Sequence, residues 1–209
     1  MVYFALKLEY FPRENASTGP IFSVFMKGKK VLDVACGEGK LLKMNPEMIY
    51  GVDINTTILK KLQNEGLYAK HSDVTKLDFG DRSFDVVHCS NIIEHLNPLD
   101  AQKMFQEMLR VLVPEGKILL TTPMPKTVWN TFGHIKPYPP QAIKKLFRKV
   151  SLESFDSVEG LEIENIFYFG SWGLNKLTVL YSSILANLTP FHRGSYFMVI
   201  KKKYEKSEK

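Results

Sequence analysis

Polar and apolar positions along the chain follow two alternating periods. Short, mainly apolar runs fall at 30–35 (KVLDVA), 48–53 (MIYGVD), 84–90 (FDVVHCS) and 117–122 (KILLTT), and the more polar 68–72 is a candidate third strand between them. Each has the length of a strand buried on both faces. Between the runs, apolar residues recur at helical spacing. In NTTILKKLQNEG, Asn55 is a candidate cap, Ile58, Leu59 and Leu62 form a stripe, and Gly66 is a stop. In NPLDAQKMFQEMLRVLVPEG, Asn97 caps and Pro98 takes the first helical position. Ala101, Met104, Phe105, Met108, Leu109 and Leu112 then line one side. Strands that alternate with helices predict an α/β, doubly wound, Rossmann-like sheet, mainly parallel, with helices on both faces.

The second half is less regular. Residues 123–140 (PMPKTVWNTFGHIKPYPP) predict a long ordered loop. A helix follows, with Ile143, Leu146, Phe147 and Val150 on one side and Lys144, Lys145, Arg148 and Lys149 on the other. Residues 161–169 and 195–202 predict two closing strands, seven in all, the last antiparallel, with a helix over 174–189 between them. At the other end, a helix from Pro20 to Met26 follows a segment in which Tyr10, Phe11 and Arg13 either close over a ligand or cover the sheet edge.

Composition narrows the class. At 44% hydrophobic and 24% charged, the 209 residues suit one soluble domain. The net charge of +6 owes much to residues 201–209, KKKYEKSEK, with five lysines and two glutamates. The rest is only mildly basic, and no broad nucleic-acid face is implied. Cys36 and Cys89 read as buried thiols of a reducing compartment. No zinc-type spacing appears. The N-terminus has no secretory pattern, which predicts a cytoplasmic protein. Residues 174–191 are too polar for a membrane span and fit a buried or surface-lying helix, hence a peripheral membrane contact at most.

The chemistry concentrates in VLDVACGEGKLL, residues 31–42. Gly37 and Gly39 follow a strand directly, and ligands of open parallel sheets sit beyond such strand ends. The third position of a dinucleotide fingerprint is Leu42 instead of glycine, and no G-K-[ST] follows. Asp33, ahead of the glycines, suits a cationic ligand better than a phosphate. Asp53 ends the second strand and can accept a ribose diol, or cap the helix after it. Asp73 follows the third strand and can accept an exocyclic amine, or hold a turn. Taken together, the three acids line one crevice. An adenine, a ribose diol and a positive charge together describe S-adenosylmethionine.

The segments VLDVACGEG, YGVDI, HSDVTKLDF, FDVVHCSNIIEHL and RVLVPEGKILLTTP resemble, in order, the motifs of class I S-adenosylmethionine-dependent methyltransferases. The resemblance covers about residues 28–125 and is greatest to the branch acting on small molecules, quinone precursors, sugars and lipids. It implies that Asp33 faces the methionine amino end, with Ala35, Cys36, Gly37 and Gly39 as the loop around it. Ala35 stands where the family often has glycine. Asp53 is implied at the ribose hydroxyls with Ile54 against the adenine. Ser72, Asp73 and Val74 are implied at the adenine amine, and Ser90, Asn91 and Ile92 beside the methionine. The implied product is S-adenosylhomocysteine. Cys36 reads as packing instead of a nucleophile.

The domain then divides into an N-terminal lid (1–27), a donor-binding core (28–122), an acceptor side (123–202) and a basic tail (203–209). Methyl transfer needs alignment and exclusion of water more than elaborate chemistry. A hydroxyl acceptor would also need a base, for which His95 and His134 are the candidates. His95 in NIIEHL is either that base or a support for its loop. His134, beside Lys136 and Tyr138, is either part of an acceptor cluster or a turn residue. Glu94 and His95 are the only local ligand-type pair there, so no metal is expected. The aromatics Trp129, Phe132, Tyr138, Phe167, Tyr168, Phe169 and Trp172 either line an apolar acceptor pocket or form the core of a closing subdomain. The expected acceptor is a small molecule, lipid- or sugar-linked, methylated at O or C. An RNA or protein methyltransferase and a non-catalytic donor-binding subunit are the alternatives.

Overall fold

The computed structural model describes residues 22–148, 156–170 and 184–203. The expected lid residues Tyr10, Phe11 and Arg13 lie outside them, as do Val150, Trp172, residues 174–183 of the expected helix and tail residues 204–209. Seven strands form one sheet: β1 Val31–Val34, β2 Ile49–Asp53, β3 Ala69–His71, β4 Phe84–Ser90, β5 Leu112–Pro123, β6 Leu161–Gly170 and β7 Arg193–Lys202. Their spatial order is β3-β2-β1-β4-β5-β7-β6. The first five run parallel, and β7 is antiparallel to both of its neighbours. The expected fold is therefore the observed one. The order reverses between β1 and β4, which makes the carboxyl ends of those two strands the natural ligand crevice.

Helices α1 Thr56–Asn64, α2 Pro98–Val111, α3 Pro125–Val128 and α4 Pro140–Leu146 accompany the sheet. Both expected caps form: Asn55 Oδ1 accepts from the N–H groups of Thr57 and Ile58, and Asn97 Oδ1 accepts from that of Asp100. On one face, Leu32, Val34, Val87, Cys89 and Leu120 pack with Met104, Phe105 and Met108 of α2. On the other, Val31, Ile49, Val86 and Leu119 pack with Leu59 and Leu62 of α1 and with Met26. Burying each large side chain contributes roughly 1.5–3 kcal/mol. Met26 belongs to a single wide turn, Phe22–Met26, at the expected N-terminal helix.

Two local features depart from the sequence pattern. Strand β5 begins at Leu112, not at 117, because Leu112 pairs with Phe84 and the ladder resumes at Val86–Lys117 beyond an irregular stretch. Glu115, at φ 65°, turns the chain within that stretch. The expected loop after β5 contains the one-turn α3, which starts on Pro125.

The connection from β3 to β4 is anchored by Arg110 of α2. Its guanidinium donates to the carbonyls of Leu77 and Phe79 and to the carboxylates of Asp81 and Glu107. Glu107 also accepts from the Leu77 N–H at 2.7 Å. The Arg110 hydrogen bond holds the Glu107 carboxyl below the ordinary glutamate range, helped by the Leu77 N–H. The unfolded chain therefore binds a proton that the native state refuses. The stabilisation is complete above the ordinary glutamate pKa, about 4.3, and drains away as pH falls through the lower native value. Glu107→Gln should cost about 1–2 kcal/mol near neutrality and flatten the acid limb of the stability curve, as read from urea melts across the acid range.

Close packing also explains Gly51 in β2. A Cβ there would lie 2.8 Å from both Cys36 Sγ and Leu42 Cδ2. Gly51→Ala should destabilise by roughly 1–3 kcal/mol in chemical denaturation, with unchanged far-UV circular dichroism.

Candidate functional site

Strand β1 delivers its last residues to the switch point from inside the sheet. Its pairing aligns Asp33 with Gly51 on one side and His88 on the other. The chain beyond it turns through left-handed conformations at Ala35 (φ 57°), Gly37 (φ 49°) and Gly39 (φ 66°). Alanine tolerates this conformation at a cost of roughly 1–2 kcal/mol. At Gly39 a Cβ would meet Leu62 Cδ2 at 2.6 Å, whereas at Gly37 the space within 4 Å is open. Gly37 thus exposes its backbone to whatever occupies the crevice, and Gly39 lets the loop lie on α1.

Asp53 joins the loops after β1 and β2. Its Oδ2 accepts from the Gly37 N–H at 3.0 Å and its Oδ1 from the Asn55 N–H at 2.9 Å. Ile54 beside it is 66% exposed, an apolar side chain left uncovered at the strand end. Asp73 lies beyond β3 and is exposed. Its Oδ1 accepts from the Thr75 hydroxyl and N–H, both at 2.7 Å. Those bonds, the hydroxyl first, hold its carboxyl below the ordinary range. Asp73 therefore makes the turn offered as its alternative role, and it stands as an anion at the crevice edge. Ser72 and Val74 are buried on either side of it. Ser72 Oγ donates to the Lys76 carbonyl and accepts from the Asp78 N–H.

Asp33 is buried, and its Oδ1 accepts from Nδ1 of the equally buried His88 at 2.7 Å. The His88 Nε2 has no hydrogen-bond partner. Sequence reasoning passed over His88, although an imidazole inside the apolar run FDVVHCS was a visible irregularity. Cys36 is buried, and desolvation, then the charges of Asp33 and Asp53, push its thiol up to about 12. A thiol that stays protonated at neutral pH packs and is a poor nucleophile. Burial likewise raises the Cys89 thiol.

At the end of β4, Ser90, Asn91 and Ile92 lead into the crevice. Asn91 adopts a left-handed conformation (φ 54°), and its N–H donates to the Thr121 carbonyl. The turn Ile93–His95 follows, and the chain after α3 returns to lie on it. Ile135 and Lys136 donate their N–H groups to the Glu94 carbonyl. The Tyr138 hydroxyl donates to the Leu96 carbonyl, and the Tyr196 hydroxyl of β7 to the Tyr138 carbonyl. Tyr138 is therefore turned inward, and burial pushes its phenol up to about 12. His134 does join His95: their rings meet edge to face with centroids 4.6 Å apart. His95 Nδ1 faces the Gly133 carbonyl at 3.1 Å and His134 Nδ1 the Val128 carbonyl at 2.6 Å. Carbonyls only accept, so both Nδ1 atoms carry hydrogen and the neutral rings keep their lone pairs on Nε2. In the loop that carries His134, Trp129, Phe132 and Ile135 are exposed. Of the other expected pocket aromatics, Phe167, Tyr168 and Phe169 lie half-buried along β6.

Residues 32–120 match the methyltransferase domain family. Among curated proteins, the human probable tRNA methyltransferase 9B is 29% identical over 117 residues, which is 53% of this chain and 26% of that protein. The ubiquinone biosynthesis O-methyltransferase of Coxiella burnetii is 28% identical over 108 residues, 47% of this chain and 45% of that one. The chain thus matches less than half the length of either relative. Among solved structures, the PH0226 protein of Pyrococcus horikoshii superposes with a TM-score of 0.64 at 21% identity, covering 91% of this chain and 90% of that one. The reversed strand order and the turn of left-handed residues after β1 agree with the domain match: residues 32–120 are similar to the methyltransferase domain, a family whose methyl donor is S-adenosylmethionine.

Proposed function

We propose that this chain transfers the methyl group of S-adenosylmethionine to a small-molecule acceptor, lipid- or sugar-linked, at oxygen or carbon. The observation that carries the donor half is Asp53, which ties the glycine loop to the start of α1 where the sheet order reverses. Its remaining lone pairs would accept the ribose hydroxyls, and the exposed Ile54 would cover one face of the adenine. Asp73 and the Val74 N–H, with Ser72 supporting the turn, would meet the adenine edge. Asp33, with one oxygen on His88, would offer the other to the methionine amino group. Ala35, Cys36, Gly37 and Gly39 would wrap that end, opposite Ser90, Asn91 and Ile92.

The acceptor half rests on the His95–His134 pair and on Trp129, Phe132 and Ile135, exposed apolar side chains of the loop that carries His134. An apolar loop that carries a basic nitrogen suits an uncharged or lipid-borne hydroxyl better than a polyanion. The ring nitrogens would take the hydroxyl proton while the oxygen attacks the methyl carbon and the carbon–sulfur bond breaks, leaving S-adenosylhomocysteine. The match to a ubiquinone O-methyltransferase supports this acceptor class. Among the described residues no helix is long and apolar enough to cross a membrane, so a lipid-borne acceptor would be met at the surface. A second reading, RNA methylation, is favoured by the match to a tRNA methyltransferase and by the exposed Lys144, Lys145 and Arg148 near α4.

Calorimetry with S-adenosylmethionine tests the donor half. Asp53→Ala should abolish detectable binding, and Gly37→Val should weaken it at least tenfold, because a branched side chain strains the left-handed turn and fills the ligand approach. Unchanged binding in both variants would refute the assignment. Transfer of radiolabelled methyl into lipid, sugar-lipid and RNA extracts separates the acceptors, and label in RNA alone would favour the second reading. With the acceptor so found, His134→Ala should lower turnover about 10²–10⁴-fold at saturating donor while donor affinity stays constant.

A further inference from the structure

Glu94 is 1% exposed, yet only one of its carboxylate oxygens has a partner: Oε2 accepts from the Thr122 hydroxyl at 2.9 Å, and Oε1 has none. Among the described residues no lysine or arginine pairs with it. A buried carboxylate left this way is costly unless a cation or donor meets it. Of its titratable neighbours, the Cys89 thiol and the Tyr196 phenol are buried and held protonated, and the rings of His95 and His134 are the ones that offer ligand nitrogens. One carboxylate oxygen and one nitrogen from each ring lie within 4.8 Å of one another.

We propose that Glu94, His95 and His134 form a binding site for a divalent transition-metal ion of the zinc type. The donor set of two imidazoles and one carboxylate suits Zn²⁺ and its neighbours and disfavours Mg²⁺ and Ca²⁺, which take oxygen ligands. The orientation of each ligand is already fixed from behind. The Gly133 and Val128 carbonyls hold the Nδ1–H of the two rings, which directs the Nε2 lone pairs toward a ligand, and Thr122 holds the carboxylate. A tetrahedral zinc shell with ligands at about 2.0–2.2 Å sets them about 3.3–3.6 Å apart. From separations of at most 4.8 Å the cluster closes onto an ion with a contraction of up to about 1–1.5 Å, shared among the carboxylate and the two half-buried rings. Sequence alone predicts no metal because only Glu94 and His95 are neighbours. The return of the chain onto the Ile93–His95 turn supplies the third ligand. Three protein ligands leave a position open, and this site borders the acceptor side, so with the ring nitrogens on the ion it is the ion, in place of the free rings acting as bases, that would activate an acceptor oxygen. That role rests on the methyl-transfer reading, whereas the binding of the ion does not.

Titration of the untagged full chain with Zn²⁺ by calorimetry, and with Co²⁺ by visible absorption, tests the site. One ion should bind per chain, with the intense bands of a low-coordinate Co²⁺ centre. His134→Ala, which alters an accessible loop, and Glu94→Gln should each weaken binding at least tenfold, and Mg²⁺ should not compete. Asp53→Ala should lose S-adenosylmethionine and keep Zn²⁺, which separates failure of the donor reading from failure of this one. Absence of stoichiometric binding in a chain that still binds S-adenosylmethionine would overturn the site. So would equal Zn²⁺ affinity in a folded His95→Ala/His134→Ala double variant, or competition by Mg²⁺.

Discussion

Strand β1 is four residues long, buried on both faces, and hydrogen-bonded along both edges to parallel neighbours. That double pairing is the constraint from which the site is built. A strand so held cannot slip by one residue without carrying Asp33 out of its pocket and Leu32 and Val34 out of the core. Its fixed end sets where the chain leaves the sheet, and the left-handed residues that follow set where the loop lies. Asp53 then locks that loop to the neighbouring strand end.

The crevice is lined by groups whose hydrogen bonding is partly met by the protein. Among the described residues, the buried side-chain polar atoms without a partner are His88 Nε2, Glu94 Oε1 and Thr121 Oγ1. All three lie on β4, on β5 or on the turn that follows β4. Elsewhere among the described residues, buried polar side chains are answered, Lys202 by two carbonyls and Ser72 by its own turn. Unmet polarity confined to one end of two adjacent strands marks where the fold leaves room for something besides itself.

Much of this was legible in the chain, because the signals were local. The apolar runs, the Asn55 and Asn97 caps and Pro98 all act within a few residues, and the strands and α2 follow from them. The acids at successive strand ends were legible for the same reason. The start of β5 was not, because residues 113–116 have the local pattern of a turn, and it is the pairing of Leu112 with the distant Phe84 that opens the strand before them. The meeting of His95 with the loop around His134 was equally hidden. Gly133, which fixes the His95 ring, lies 38 residues beyond it, and no short-range pattern announces that contact. Tyr138 could be read either as an acceptor-pocket group or as core. Its burial and its hydrogen bonds, hydroxyl to Leu96 and carbonyl from Tyr196, span 42 and 58 residues, and no local pattern announces them.

The amine of Lys202, in the strand that enters the sheet last, rests on the carbonyls of Leu109 and Leu112, 93 and 90 residues earlier. It thereby caps the C-terminal end of α2. The N-terminal end of that helix is answered by Asn97 within three residues, whereas its other end gains these partners only once β7 is in the sheet. One amine thus stitches the last strand to a helix that precedes it by two strands.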